Sequence, residues 1–476
     1  MTRRAQNVAL VAAGVIVGAA HLALVVTGFG LRLWEDEAYN LTVPLHLLAG
    51  DGYSSAGILR ASSPEPFDIR ITTGPVVLLP AAGMIALVGD PVVGARLAVL
   101  AFYVALVVLA WLAGRRVGGP WAGPVAALAI VAYDTTALPS PIQSPVDLLG
   151  ELPAAALMLA AVLAVARRPW LAGILAGLAI QAKVLGAMVL PVLVVMVLLG
   201  VGTRAQKLAR TGVMIALAVV PTAIYELVRL VALGWDAYLP LTIEALKLLR
   251  YGGQAPQGVP PIEKALVFGE SWFLPIGVAI GVAVLAAVIV LAVLKPWGGE
   301  RLRRERDRSL LVVAGVLLIA GSVGWWVLSQ NLPTWPRHPS LAVVAAVPLL
   351  VGALMAALRS ALRRGGGVRV AGIAALAGVA TVLVVQWAGH LEREQRPNYD
   401  ETLADQRVAA AVVRAQGFES IATEWGGNLS IIVLAGADPF PLNATPDPAV
   451  PRMTTAGAPC DDVIVRTDRY QVCAGP

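Results

Sequence analysis

Trp34-Glu35-Asp36-Glu37-Ala38-Tyr39 sets three consecutive carboxylates a few residues past the first membrane-length apolar run. Only 14% of the 476 residues are charged, so this density needs a physical reason. Two readings stand side by side on spacing alone. One is a solvated acidic loop. The other is a site where a carboxylate does chemistry at a membrane surface. Neighbouring residues seldom point the same way, so the three acids need not share a role. Asp36 is the candidate for chemistry, Glu37 for support, and Glu35 is assigned to solvent.

The surrounding chain is 58% hydrophobic, and many of its apolar runs have spanning length. Soluble domains carry about 25% charged residues, so the composition predicts an all-α polytopic membrane protein. A net charge of +6 raises the question of nucleic acid. The basic residues fall in short clusters between apolar runs, so they report membrane topology and no nucleic-acid partner is expected. The first apolar run follows Arg3 and Arg4 and lacks a small-residue cleavage site. It reads as a retained helix with the N-terminus in the cytoplasm.

Working outward, the segment from Phe29 to about Thr73 is polar and follows the first span to the outside. Residues 29–91 form a first external loop with juxtamembrane helices. Gly74–Gly89 is short for a span of ~20 residues and reads as interfacial or re-entrant. Val92–Gly114 returns inward to Arg115 and Arg116. Pro120–Tyr133 goes out, a loop with Asp134 follows, and Val146–Ala166 comes in to Arg167 and Arg168. Trp170–Gly200 holds one charge, Lys183, between two basic clusters. If both clusters are cytoplasmic, the stretch crosses twice, as two broken helices of about 15 residues each. That parity puts Lys183 at the outer turn of a hairpin. One long tilted helix is the alternative, and it would push every later basic cluster outside.

Thr211–Leu233 goes out, and Gly234–Ser271 is an external loop with an amphipathic stretch at Leu241–Leu249. Trp272–Leu294 comes in to Lys295–Ser309, which holds six Lys/Arg. Leu310–Leu328, Ser340–Leu358 and Val370–Gly389 complete about eleven spans within residues 1–389. Residues 390–476 regain charge and predict a small extracytoplasmic α/β domain. It has a helix over Asp400–Gln416 and strands at Ser420–Thr423, Ser430–Leu434, Asp462–Val465 and Tyr470–Cys473. Outside the cytoplasm Cys460 and Cys473 can pair, closing a small loop worth roughly 3 kcal/mol. Two free thiols are the alternative. No His/Cys cluster has zinc-ligand spacing.

Ionisable groups in or near a membrane are costly and therefore functional candidates. The predicted outer side collects Asp36, Glu37, Arg70, Arg96, Asp134, Asp147, Glu151, Lys183, Arg337 and His338. A simple ion channel would favour one sign, whereas an enzyme with a base for one substrate and a phosphate clamp for the other needs both. Asp147 and Glu151, four apart, share a face at the start of a predicted helix, where the dipole alone also favours acids. Lys183 is either a snorkelling lysine or a direct phosphate contact. Arg337 and His338 sit in Trp335-Pro336-Arg337-His338-Pro339, either as an interfacial anchor or as a bidentate phosphate ligand. Arg96 is an anchor or a substrate contact.

Taken in order, these segments resemble a family. Asp36-Glu37-Ala38-Tyr39 followed by Leu47-Leu48-Ala49-Gly50 resembles the first external loop of GT-C glycosyltransferases. The nearest type is the bacterial protein O-mannosyltransferase and lipid A aminoarabinose transferase group. Thr73-Gly74-Pro75 resembles its Pro-led juxtamembrane helix, and Gly94-Ala95-Arg96-Leu97 its next span. Gly177–Lys183 resembles its lysine-tipped hairpin, and Pro336-Arg337-His338 its late basic segment. The resemblance covers most of residues 30–350. Gln181-Ala182 and Tyr39-Asn40 depart from the family's pattern, and the C-terminal tail is not covered.

The resemblance implies a polyprenyl-phosphate sugar donor and transfer outside the bacterial cytoplasmic membrane, with inversion. The acceptor would be a glycan, lipid or protein hydroxyl. Asp36 would be the general base, and Glu37, Tyr39, Asp147, Glu151 and Arg96 would contact substrate. Lys183, Arg337 and His338 would hold the donor phosphate. Neither a nucleotide-binding loop nor a DxD motif is present, so neither a cofactor nor an obligatory divalent metal is expected. Two other classes compete. A transporter or flippase of polyprenyl-linked lipids would use the same cations without a base, and a scaffold would act through its external tail.

Overall fold

A computed structural model describes residues 2–59, 64–131, 142, 144–250, 259–272, 301–329, 336–363, 366–395, 401–442, 450–460 and 462–475. Helix α1 (Arg3–Gly30) starts at Thr2, whose hydroxyl accepts from the Ala5 amide. Helix α2 (Glu35–Ala49) carries all three acids in its first turn, where the helix dipole favours them. It ends on Gly50 in the left-handed region, with φ 97°. The expected polar loop therefore contains a buried helix, and its Ala38, Leu41 and Val43 belong to the main core. A two-stranded ribbon follows, β1 (Ser54–Ser55) against β2 (Glu65–Pro66).

Helix α3 (Pro75–Val88) is led by Pro75 and has 14 residues, the short juxtamembrane element expected there. Helix α4 (Pro91–Gly118) begins where Asp90 accepts from the Val92 and Val93 amides and ends at Arg115 and Arg116. It is central to the bundle, touching α3, α5 (Ala122–Ala129), α6 (Glu151–Ala164) and the Ser340–Leu362 helix.

Helix α7 (Pro169–Ala182) packs tightly on α9 (Arg204–Arg250). A Cβ on Gly173 would lie 2.2 Å from the Met214 carbonyl oxygen, and one on Gly177 2.5 Å from that of Ala218. Small residues four apart let two apolar helices touch at backbone level. The chain leaves helical geometry at Lys183 and makes a 3-10 turn over Val184–Met188. It then returns as α8 (Val189–Leu199). The far end of α8 meets the basic clusters: Lys207 donates to the Leu198 carbonyl at 2.8 Å and Arg306 to that of Gly200 at 3.2 Å. The stretch thus doubles back with Lys183 at its tip, the hairpin that charge parity predicts.

Among the described residues six helices are long and apolar enough to cross a membrane: Arg3–Gly30, Pro91–Gly118, Arg204–Leu249, Arg306–Leu328, Ser340–Leu362 and Arg369–Glu392. Shorter apolar helices supplement them, and the chain is a multi-pass membrane protein. Of the expected Pro120–Tyr133 span, α5 has eight residues, and positions 132 and 133 lie outside the described residues. The expected Trp272–Leu294 span also lies outside them, apart from Trp272. The expected end of a span at Leu233 coincides with a break: Gly234 leaves helical geometry with φ 70°, and a second helical limb of α9 runs from there to Arg250. The amphipathic stretch is thus its second limb. Helix α10 (Pro261–Trp272) follows.

The C-terminal unit is a five-stranded mixed sheet in the order β4-β3-β5-β7-β6. Its strands are β3 (Ser420–Thr423), β4 (Asp438–Pro441), β5 (Arg452–Thr455), β6 (Val463–Arg466) and β7 (Tyr470–Cys473). The helix Leu403–Arg414 is closed by a capping box between Thr402 and Asp405. The expected strand Ser430–Leu434 is instead part of a helix, Gly427–Ala435. Ile431, Ile432 and Ala435 face the sheet core, while Leu429 and Val433 join the membrane-domain core. A helix buried on both sides shows no helical periodicity in its sequence. A disulfide joins Cys460 to Cys473 across 5.9 Å between Cα atoms. The Gly366–Gln395 helix runs through His390, where composition places the domain boundary.

Candidate active site at the head of α2

The three acids of α2 meet three different arginines. Successive residues on a helix are turned by about 100°, so adjacent side chains in the first turn point three ways. Glu35 accepts from Arg32 at 2.9 Å and is not left to solvent as expected. Asp36 pairs with Arg337. Glu37 receives Arg96 Nε at 2.9 Å and Nη2 at 2.7 Å, a bidentate pair with both side chains essentially inaccessible.

Arg96 does more than neutralise Glu37. Its Nη1 donates to the carbonyls of Gly28, Phe29 and Leu31 at 3.0–3.1 Å, and Nη2 reaches that of Arg32 at 3.3 Å. These are the carbonyls left open at the end of α1 and beyond. All three guanidinium nitrogens are engaged, so the Arg96–Glu37 pair stitches α1, α2 and α4 together. Its two side chains are buried. Tyr39 is likewise drawn inward. Its hydroxyl hydrogen bonds to Asp68, whose Oδ2 also accepts from Ser55 at 2.7 Å. Burial, then the adjacent Asp68 carboxylate, push the Tyr39 phenol well above its usual range.

Lys183 occupies the break between α7 and the 3-10 turn. Its Nζ donates to Glu151 Oε1 at 2.6 Å and to Thr72 Oγ1 at 3.2 Å. Thr73 and Lys183 form an antiparallel bridge, and the Gly74 amide donates to the Ala182 carbonyl at 3.0 Å. Two glycines permit this approach. A Cβ on Gly74 would stand 2.1 Å from the Gln181 carbonyl oxygen, and one on Gly150 2.3 Å from that of Ala182. Glu151 starts α6, but Asp147 lies in the turn before it, so the two do not share a helix face as expected. Asp147 instead comes 4.0 Å from Arg96.

Arg337 closes the arrangement, with its guanidinium 4.9 Å from the centre of the Trp34 ring. Desolvation works against its charge, but Asp36 and Glu151 outweigh it and hold the guanidinium more basic than usual. A small pocket is lined by Ser144, Asp147, Glu151, Leu152 and Arg337. Oε2 of Glu151 is buried without a hydrogen-bond partner. Next to Arg337, desolvation, then the Arg337 and Lys183 charges, hold the His338 imidazole down at about 3, so it is neutral near pH 7. Asp36, Glu151, Lys183, Arg337 and His338 are thus one electrostatic cluster drawn from α2, α6, the α7 break and the turn before Ser340–Leu362. Among the described residues, no group of three or more His, Cys, Asp or Glu is arranged to hold a metal ion.

Arg229 on α9 escapes a sequence reading because nothing local marks it. The residue is 4% exposed, and its guanidinium lies 5.3 Å from the Tyr238 ring centre. Nη1 bonds Glu226 at 3.2 Å, while Nε and Nη2 are buried without partners. Those two nitrogens form one edge of the guanidinium fork, the edge that grips an oxyanion bidentately. Tyr225, one turn earlier, joins Tyr53 and Phe67 in an aromatic cluster with centroids 5.6–6.1 Å apart. A buried fork with one edge open is an anion-binding geometry.

With the geometry in place, comparison with known proteins is informative at the level of structure. No protein-family model matches the sequence, and no curated protein matches it. The structure is similar to ArnT from Cupriavidus metallidurans bound to undecaprenyl phosphate, with a TM-score of 0.63 and 15% identity over 100% of both chains. The fold is of the GT-C type. Apo ArnT from the same organism matches over 99% of each chain, with a TM-score of 0.58 and 14% identity. The archaeal oligosaccharyltransferase AglB from Archaeoglobus fulgidus, in complex with an inhibitory peptide and a dolichol-phosphate, is also similar. There the TM-score is 0.52 at 13% identity, covering 92% of this chain and 64% of AglB.

Proposed function

We propose that this chain is a membrane glycosyltransferase that moves a sugar from a polyprenyl-phosphate donor to an acceptor hydroxyl, with inversion. The observation that carries the reading is the convergence of Asp36 with Arg337, Lys183 and Glu151 at the head of α2. It supplies a carboxylate for the acceptor and cations for the donor in one place. The GT-C fold, shared with proteins bound to undecaprenyl phosphate and dolichol-phosphate, supports the donor class.

In this reading the acceptor oxygen attacks the anomeric carbon as Asp36 takes its proton. The bond from that carbon to the phosphate oxygen breaks, and its electron pair stays on the polyprenyl phosphate. The leaving group gains negative charge, which cations fixed beforehand stabilise. Arg337 and Lys183 are both engaged by carboxylates, so an incoming phosphate competes with Asp36 for Arg337 and frees the base. Arg229 offers a bidentate edge to an anion from a different element, α9. The reading places the chain in the bacterial cytoplasmic membrane with its C-terminal unit outside. It requires no divalent metal, because side-chain cations meet the developing charge.

The test is transfer by the purified protein in lipid nanodiscs, supplied with undecaprenyl-phosphate sugars and a hydroxyl acceptor. Asp36→Asn should lower turnover by about 10²–10⁴-fold, the range of a general base. Substantial residual transfer removes Asp36 as base. Lipid translocation without sugar transfer in the wild type would favour a flippase.

A further inference from the structure

The segment joining α1 to α2 is gripped from two sides. Arg96 holds the carbonyls of residues 28–32 from within the bundle. The other side belongs to the C-terminal unit. Leu31 and Thr402 form an antiparallel bridge. Gln406 is fully buried, and its side-chain amide reads both backbone groups of Leu33. The Leu33 amide donates to Oε1 at 2.6 Å, and Nε2 donates to the Leu33 carbonyl at 3.0 Å. Trp425, after β3, meets the Tyr39 ring edge-on at 5.5 Å. The contacts made by the C-terminal unit fall within nine residues of sequence, 31–39, centred on the start of α2.

A residue two positions before a helix sets where that helix begins and how its first turn is aimed. We infer that Gln406 is a positioning residue for Asp36 and that the C-terminal unit completes the site by fixing the 31–34 segment. The geometry favours this over simple domain docking. A docking contact needs only apolar area, whereas Gln406 commits a donor and an acceptor to the two backbone groups of one residue, Leu33, specifying its orientation as well as its place. Arg407, its neighbour, is a docking contact of the ordinary kind. It pairs at 2.6 Å with Asp90, the residue that caps α4, and is about two-fifths exposed. The role in catalysis rests on the transferase reading above, while the positioning of the segment does not.

The experiment is amide hydrogen exchange on the full-length protein in nanodiscs, paired with turnover on undecaprenyl-phosphate sugars. Gln406→Met keeps the volume and removes both hydrogen bonds. Peptides covering residues 31–38 should exchange about fivefold faster or more, the factor expected for a lost buried hydrogen bond, with the β3–β7 sheet unchanged. Gln406→Glu keeps the acceptor and loses the donor, and should fall between Met and wild type. Arg407→Ala should leave residues 31–38 at wild-type exchange. In turnover, Gln406→Met should lower kcat with KM for the donor unchanged, whereas loss of docking alone would not split the two. Unchanged exchange at 31–38 in Gln406→Met, or an equal rise in Arg407→Ala, overturns the inference. If the wild type turns over no lipid-linked sugar, the transferase reading fails and the exchange result still decides the positioning.

Discussion

Arg337 lies 301 residues from Asp36 in sequence and pairs with it directly, its guanidinium stacked over the Trp34 ring. The turn before a late helix thereby reaches the first turn of α2. The same guanidinium feels Glu151 as well as Asp36, so one cation serves two carboxylates. Such an arrangement is poised for exchange, because a phosphate entering the cleft offers Arg337 a partner of higher charge.

Arg337→Lys should therefore keep the fold and lose most of the activity. Lysine keeps the charge but loses the planar fork and the stack on Trp34. Turnover should fall at least about tenfold, the effect of one lost charge-assisted bond of roughly 1.5–3 kcal/mol. Thermal stability should change little. Wild-type turnover in this variant would show that Arg337 is only an anchor of α2.

Arg96→Ala should behave in the opposite way. It leaves Glu37 as a buried, unpaired charge and opens the carbonyls at the end of α1. Breaking such a pair costs about 3–5 kcal/mol. The expected result is a large drop in the yield of folded protein and in melting temperature. A stable, well-folded protein with a selective rise in KM would instead make Arg96 a substrate contact.

Gly74→Ala tests the backbone contact that carries Lys183. The new methyl must displace the Gln181 carbonyl, moving the break at Lys183 and its bond to Glu151. Transfer should fall severely. Gly83→Ala on the same helix is the control, because nothing lies within 4 Å of its Cβ position. It should be neutral or stabilising by up to about 1 kcal/mol through helix propensity. Equal effects of the two would remove the close approach as the cause.

These contrasts show what the sequence can and cannot carry. Lys183 at a hairpin tip was legible because charge parity is a global constraint, and few charges obey it by accident. The position of Pro75 and the strands around Ser420–Thr423 and Tyr470–Cys473 were legible from local chemistry. The separate fates of Glu35, Asp36 and Glu37 were not. Each is decided by an arginine from a different part of the chain, and no local pattern names the partner. Ser430–Leu434, within the helix Gly427–Ala435, reads as a strand because both faces of that helix are buried, which erases the period that distinguishes helix from strand. Arg229 is illegible in the sequence because its meaning lies in two unpartnered buried nitrogens, a property that only packing creates.

His338 makes a pH prediction. Its imidazole titrates near 3 in the folded protein and near 6.5 when unfolded. Between those values the unfolded chain binds a proton that the folded chain refuses. Stability should then be full above pH 6.5 and fall toward pH 3, by up to about 1.4 kcal/mol per unit from this group. His338→Gln should flatten that part of the curve in denaturation followed at several pH values. An unchanged slope would place the acid sensitivity elsewhere.

Arg229→Lys gives the sharpest test of where the donor's anion sits. Nε and Nη2 of Arg229 are buried without hydrogen-bond partners, which is costly for a charged group. A phosphate across that edge would match both with two parallel hydrogen bonds. Lysine can offer charge there but not the fork. Affinity for undecaprenyl phosphate, measured by titration in nanodiscs, should weaken by about 10–100-fold, the equivalent of roughly 1.5–3 kcal/mol. Melting temperature should hold or rise, since the replaced fork was unsatisfied. If affinity is unchanged while Lys183 and Arg337 variants lose it, the phosphate lies at the head of α2 alone. If Arg229→Lys loses affinity and Lys183→Met keeps it, Lys183 serves to set Glu151 and the α7 break, and the phosphate is held by Arg229.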